Sequence, residues 1–306
     1  MNTEIERIYD GIRRAERRAQ AQRTETAYRR APELAALEQE RKDVFASAAA
    51  KRLGADEAAE RFSRLDARER ELLAQAGLPA DTLSLHYRCE VCRDTGYVGG
   101  ASRRPCGCRL LLAAKLDSGV GVNDRETFER FSTEIYRDEG QKKRSVNAKN
   151  WCMAYADALP TPERRNVLLL GMPGLGKSYL ANAVAYRALG RGIAARRVTA
   201  YTFVQDMLLA IQGRSRRQAA FLDVPLLVID DLGSEPVIPN VSEEALFNLI
   251  NERTIRNRNT IVVTNLSVAA LQERYGERVT SRLTDRSTAQ LIRLTGENLR
   301  WSDGLC

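Results

Sequence analysis

One octapeptide limits the fold of this chain more than anything else in it. Gly171-Met172-Pro173-Gly174-Leu175-Gly176-Lys177-Ser178 fits the spacing G-x-x-x-x-G-K-[ST]. It stands between an apolar run, Asn166 to Leu170, and a helical pattern from Tyr179 to Leu189. Strand, Gly-rich loop and helix in that order make a phosphate cradle. Gly174 and Gly176 let backbone N–H groups turn inward around the anion, and the helix N-terminus adds its partial positive charge. Lys177 is a point charge for β- and γ-phosphates, and the Ser178 hydroxyl is a ligand for Mg²⁺. Gly171, Pro173, Leu175 and Tyr179 are counted with them as nucleotide-binding residues.

The rest of the C-terminal half supports that context. Ala195–Ala200, Pro225–Ile229, Thr260–Thr264 and Gln290–Leu294 are further short β-branched or Leu-rich runs, with helical patterns between them. Five such runs alternating with helices predict an α/β fold with a parallel sheet covered on both faces.

Open sheets of this kind place ligands at the C-terminal ends of their strands. Two groups of polar residues fall there. Leu226 to Ile229 leads into Asp230 and Asp231, where Asp230 is expected to hold Mg²⁺ and Asp231 to polarise the attacking water as general base. Ile261-Val262-Val263-Thr264-Asn265 ends in an amide that can orient that water and sense the γ-phosphate, although an Asn ending a strand is more often a turn residue. Arg278 and Arg282 stand at i, i+4 on one helical face. Spacing alone reads them as a solvated surface. Beside a nucleotide site they become candidates for an arginine finger given to a neighbouring subunit, Arg282 first and Arg278 second.

Upstream, Cys89-Glu-Val-Cys92 is followed by 13 residues and then Cys106-Gly-Cys108. Two thiol pairs on tight turns suit a closed tetrahedral Zn²⁺ site with four sulfurs. A disulfide pair or a C-x-x-C redox motif explains them less well. Cys152 reads as a small core residue. Before this segment, residues 1–76 carry apolar side chains at helical spacing and read as two or three amphipathic helices, stopped at Gly77-Leu78-Pro79.

Composition excludes several classes. No stretch reaches the roughly 20 apolar residues of a membrane span. Met1 to Arg18 alternates acids and bases without an apolar core, so no secretory signal is expected and the cytoplasm is the default. The net charge of +8 permits nucleic-acid binding without demanding it. The expected organisation is a helical N-terminal domain (1–85), a zinc-binding module (86–118), a linker and lead-in (119–165) and an ATPase domain (166–306).

Taken together, the chain resembles the AAA+ replicative helicase loaders and transposition helper ATPases (the DnaC, DnaI and IstB group), closest to DnaI-like loaders with a zinc module. The residues carrying this are Cys89 to Gly96 with Pro105 to Cys108, the Gly171–Ser178 loop, and Val228 to Gly233, where Asp231 replaces the Glu commoner among AAA+ proteins. Thr127-Phe128-Glu129-Arg130-Phe131 is similar to the family's lead-in near the adenine. The resemblance implies an AAA+ P-loop core with a parallel five-stranded sheet and a short or absent lid. It further implies ATP, Mg²⁺ and Zn²⁺ as cofactors and self-association into an oligomer. The implied partners are a hexameric DnaB-type replicative helicase and single-stranded DNA, with no membrane. Arg282 sits at the position resembling the finger arginine, and Arg300 is similar to a second sensor. Residues 201–222 correspond to an extra helical insertion carrying Arg214, Arg216 and Arg217. The implied activity is ATP-dependent loading of the helicase onto single-stranded DNA. The alternatives are an IstB-like transposition helper ATPase and a nucleotide-gated, non-hydrolysing helicase adaptor.

Overall fold

A computed structural model describes residues 2–100, 102–116, 121–212, 214, 217–236, 238 and 242–301. The chain divides into two compact units, residues 2–95 and 96–306.

The first unit is helical. α1 (Asn2–Arg30), α2 (Glu33–Ala49) and α3 (Ala55–Gln75) follow one another. Pro32 ends α1 and occupies the N-cap position of α2, where its missing N–H costs little. One small core gathers Ala27, Ala31, Leu34, Leu72 and Leu73, and a second joins Val44, Ala58 and Leu65. The segment after α3 is tied to α1 by polar bonds: Gln20 donates to the Leu83 carbonyl at 2.7 Å, and Arg23 to the carbonyls of Thr82 and Ser84.

The second unit opens with a two-stranded antiparallel ribbon, β1 (Tyr97–Val98) and β2 (Arg104–Pro105), then α4 (Gly107–Leu116) and α5 (Glu139–Ala158). The α/β core follows: β3 (Asn166–Leu170), α6 (Lys177–Gly190), β4 (Ala195–Thr199), α7 (Ala200–Ile211), α8 (Arg217–Asp223), β5 (Leu226–Leu232), α9 (Ser242–Ile255), β6 (Asn259–Thr264), α10 (Val268–Thr284) and β7 (Ala289–Arg293). The five core strands form one parallel sheet in the order β4-β5-β6-β3-β7. The five apolar runs and the α/β alternation read from the sequence thus appear as one parallel sheet.

The three central strands β3, β5 and β6 are nearly continuous apolar runs because both their faces are covered. Val167 and Leu169 of β3 face one core, built with Ala148, Cys152, Tyr155 and Ala156 of α5 and the apolar side of α6. Leu168 and Leu170 face the other, with Phe203, Phe221, Leu249, Leu271 and Tyr275. Cys152 is 1% exposed, and burial pushes its thiol up to about 12. α10 is broken at Gly276, whose φ of 75° lies in the left-handed region, so the segment carrying Arg278 and Arg282 leaves at a new angle.

The most costly buried group is Arg253 of α9, with no exposed surface. Its guanidinium donates to the carbonyls of Phe221, Val224 and Asn259 and to the Thr260 hydroxyl, with 3.0 Å to both Val224 and Thr260. It thereby ties the end of α8 and the start of β6 to α9. Burial pulls its pKa down to about 9. Replacing it with Met leaves several buried carbonyls without a donor, so Arg253→Met should lose on the order of 3 kcal/mol in urea unfolding. Arg253→Lys should recover little, since a point charge cannot span the fork. A loss below 1 kcal/mol would refute this role.

Candidate functional site

The C-terminal ends of β3, β5 and β6 meet along one edge of a cleft of about 650 Å³, a volume suited to a nucleotide-sized ligand. Its lining includes Pro173 to Tyr179, Asp230, Asp231, Asn265 and Arg300, with Phe131, Ile135 and Tyr136 at an apolar end.

The Gly171–Gly176 loop joins β3 to α6. Gly171 has φ 144°, and a Cβ there would lie 2.1 Å from the Leu294 carbonyl oxygen, so only Gly fits. α6 begins at Lys177 with no side chain capping its N-terminus. Its first N–H groups are therefore available to an anion. Lys177 Nζ donates to the carbonyls of Gly171 and Met172, both at 2.7 Å. Burial lowers the Lys177 pKa, Asp231 and Asp230 act against this, and Arg300 adds to it. An arriving polyphosphate would stabilise the charged ammonium.

β5 carries the two acids differently. Asp230 is 5% exposed, and its Oδ1 accepts from Ser178 Oγ at 2.8 Å. A hydroxyl beside a carboxylate is the oxygen donor set that Mg²⁺ prefers, so Ser178 and Asp230 fit that ion. The ladder to β6 shifts register between Ile229 and Leu232, and Asp231 takes φ 58°. A non-Gly residue held there is strained, and such strain gathers at working sites. The bulge turns Asp231 into the cleft, where its Oδ1 accepts from Asn265 Nδ2 at 3.0 Å.

Arg300 also lines the cleft. After β7 the chain is strapped back by Leu294 N–H to Leu170 O at 2.9 Å and Leu299 N–H to Gly174 O at 3.0 Å. Gln141 of α5 adds a two-way bond with the Glu297 backbone, 2.9 Å in each direction. Residues 294–299 are thus anchored on both β3 and α5.

Arg278 and Arg282 are exposed and do not line this cleft. Arg278 lies over the Phe247 ring at 4.0 Å. Arg282 is near enough to Asp285 to lower that carboxyl's pKa, after the Ser287 hydrogen bonds. In the insertion, Arg214 is exposed; Arg216 and the Arg217 side chain lie outside the described residues.

Sequence reasoning passed over Arg197 and Glu126, which line the cleft. No local pattern marked either: Arg197 reads as a surface residue until β4 is found paired with β5. Phe131 stacks edge-on against Tyr179 at 6.0 Å, and Tyr179 donates to the Thr127 carbonyl at 2.7 Å. The lead-in segment therefore packs on the start of α6.

The sulfur atoms of Cys89, Cys92, Cys106 and Cys108 lie within 4.8 Å of one another. A tetrahedron with Zn–S bonds of about 2.3 Å needs sulfurs roughly 3.8 Å apart, so the four thiols fit zinc. Asp94, 2% exposed, shapes the first turn by accepting the N–H groups of Arg88 and Cys89 at 2.9 Å.

Comparisons with known proteins agree on the core. Residues 139–303 match the family described as IstB-like ATP binding protein. YdaV of Escherichia coli K12 is 29% identical over 183 residues, 58% of this chain and 70% of that protein. The ATP-binding protein of insertion sequence IS5376 from Geobacillus stearothermophilus is 31% identical over 142 residues, 45% of this chain and 56% of that protein. The chain thus spans just over half the length of this insertion-sequence relative. The solved DnaC helicase loader superposes with a TM-score of 0.46 at 22% identity, over 56% of this chain and 100% of that one. Among the described residues no helix is long and apolar enough to cross a membrane.

Protein purified without chelator should carry about one zinc per chain by elemental analysis. Stripping it should expose the first 108 residues to protease while nucleotide binding persists, because structural zinc supplies local folding free energy. Metal-free protein with an unchanged proteolysis pattern would refute the site.

Proposed function

The chain belongs to the IstB-like ATP-binding protein family, and from that premise we propose that it hydrolyses ATP within an oligomer and loads a hexameric replicative helicase onto single-stranded DNA. The observation that carries the hydrolysis is the pairing of Asn265 with Asp231 on the β5 bulge, 3.0 Å apart in the same cleft as Lys177 and Ser178. An acid with no task at a phosphate site would not need a strained backbone and an orienting amide.

In this reading the Gly171–Gly176 loop and the α6 N-terminus hold the phosphates. Lys177 releases the loop carbonyls and moves to the β- and γ-phosphates. Ser178 and Asp230 would hold Mg²⁺, which neutralises charge building on the phosphate oxygens. Asp231 accepts the proton of the attacking water, and Asn265 fixes the carboxylate that does so. Arg300 lines the same cleft. Arg282, exposed and outside its own cleft, is free to enter that of an adjoining subunit.

The loader reading draws on what precedes the matched core. The three-helix unit and the cysteine segment lie before residue 139, where the family match begins. Residues 1–85 and 86–118 would dock the helicase, leaving the core to assemble and meet DNA. A transposition helper is the second reading, favoured by the 31% identity to the ATP-binding protein of insertion sequence IS5376.

Three measurements test this. Asp231→Asn should keep nucleotide binding and reduce steady-state hydrolysis about 100-fold or more, with Lys177→Ala as the inactive control. Arg282→Ala should be nearly inactive alone. Mixing it with Lys177→Ala should restore part of the activity, because each variant supplies what the other lacks. No recovery on mixing rejects the shared site. For the partner, native mass spectrometry with the replicative helicase of the same genome should show a complex. A complex only with a neighbouring transposase would favour the second reading.

A further inference from the structure

Arg197 lies on β4, one strand beyond the acids, with its side chain 12% exposed. A guanidinium beside a phosphate cleft could wait for the ligand or hold the protein. Here its contacts are with the protein. Nε and Nη2 both reach Asp230 Oδ2, at 3.2 and 2.6 Å. Nη1 lies 3.3 Å from Asn182 Oδ1 and 3.8 Å from Glu126 Oε2. The planar fork thus spans two carboxylates and an amide.

We infer that Arg197 is a positioning residue for the metal-bound nucleotide: it sets the Asp230 carboxylate and links it to the 123–126 segment. This rests on the reading of the cleft as a Mg²⁺–nucleotide site. Two arrangements carry it. The first is the division of labour on Asp230. Oδ2 is taken by Arg197, so Oδ1 is the oxygen turned to Ser178 at 2.8 Å. Without the fork the carboxylate can rotate away from the hydroxyl with which it would share the ion. The second is Asn182 of α6, which has no exposed surface. Its Nδ2 donates to the carbonyls of Asn123 and Glu126 at 2.7 and 2.8 Å, and its Oδ1 accepts the Asn123 N–H at 2.9 Å. The chain Asn123–Asn182–Arg197–Asp230–Ser178 therefore runs from the segment leading to Phe131 to the metal end of the cleft. Among the described residues Glu126 Oε2 is buried with no hydrogen-bond partner, 3.8 Å from Arg197 Nη1. One cation is divided between two acids, so movement of the 123–126 segment changes what Asp230 receives.

Geometry and charge predict opposite effects. A positive charge near Asp230 opposes a dication, whereas a fixed carboxylate favours it. Arg197→Lys separates them, since it keeps the charge and loses the fork. The test uses the full-length protein and a fluorescent ATP analogue, titrated with Mg²⁺ and, separately, in EDTA. R197K should raise the Mg²⁺ concentration for half-maximal nucleotide binding about tenfold, as expected for loss of a group orienting a metal ligand. Its affinity in EDTA should stay within about twofold of wild type, a split that a general loss of structure would not produce. E126Q removes the competing acid and should leave the Mg²⁺ requirement unchanged or lower. R197K with wild-type Mg²⁺ dependence, or with equal loss in EDTA, overturns the inference. A tenfold rise in E126Q overturns it even if R197K does not fold. If the wild type binds no nucleotide with or without Mg²⁺, the reading of the cleft itself fails, which is a different result.

Discussion

The parallel pairing of β6 between β3 and β5 is the constraint on which the site depends. Parallel strands end on the same side, so their C-terminal residues emerge together. Here that edge receives the Gly171–Gly176 loop from β3, Asp230 and Asp231 from β5, and Asn265 from the end of β6. Buried on both faces, these strands can hold few polar groups along their length. The polar residues gather where the strands leave the sheet.

The charged groups of the cleft are arranged so that few lack compensation. Asp230 is held on one oxygen by Ser178 and on the other by Arg197; Asp231 is held by Asn265. Lys177 rests on two loop carbonyls. These contacts are internal substitutes for ligand contacts. A phosphate would draw Lys177 away from these carbonyls. The strained backbone in this set, at Asp231, belongs to the residue proposed to take the proton of the attacking water.

The tail and the lead-in frame the same cleft from outside the sheet. Gln141 holds Glu297, and Gly174 holds Leu299, so the residues next to Arg300 are anchored by backbone and amide bonds. Segments 123–131 and 294–300 both touch the cleft, and neither belongs to a strand. α5, expected within a linker, supplies Gln141 and four buried side chains to the core of the second unit.

Much of this was legible in the residues themselves. The octapeptide with its strand and helix, the five apolar runs, the paired acids and the cysteine spacing are local patterns. Each reports a backbone shape or ligand set determined by neighbours in the chain. Arg197, Glu126 and the strap through Gln141 were not legible, because their partners lie 15 to 156 residues away and no local period marks them. An arginine in Ala195-Arg196-Arg197-Val198-Thr199 looks like a surface residue until the sheet order puts β4 beside β5. Chain chemistry by itself determined that a phosphate cradle with two acids would form. Which groups hold those acids in place was decided only by tertiary structure, because hydrogen bonds and ion pairs depend on distances that strand order and packing set.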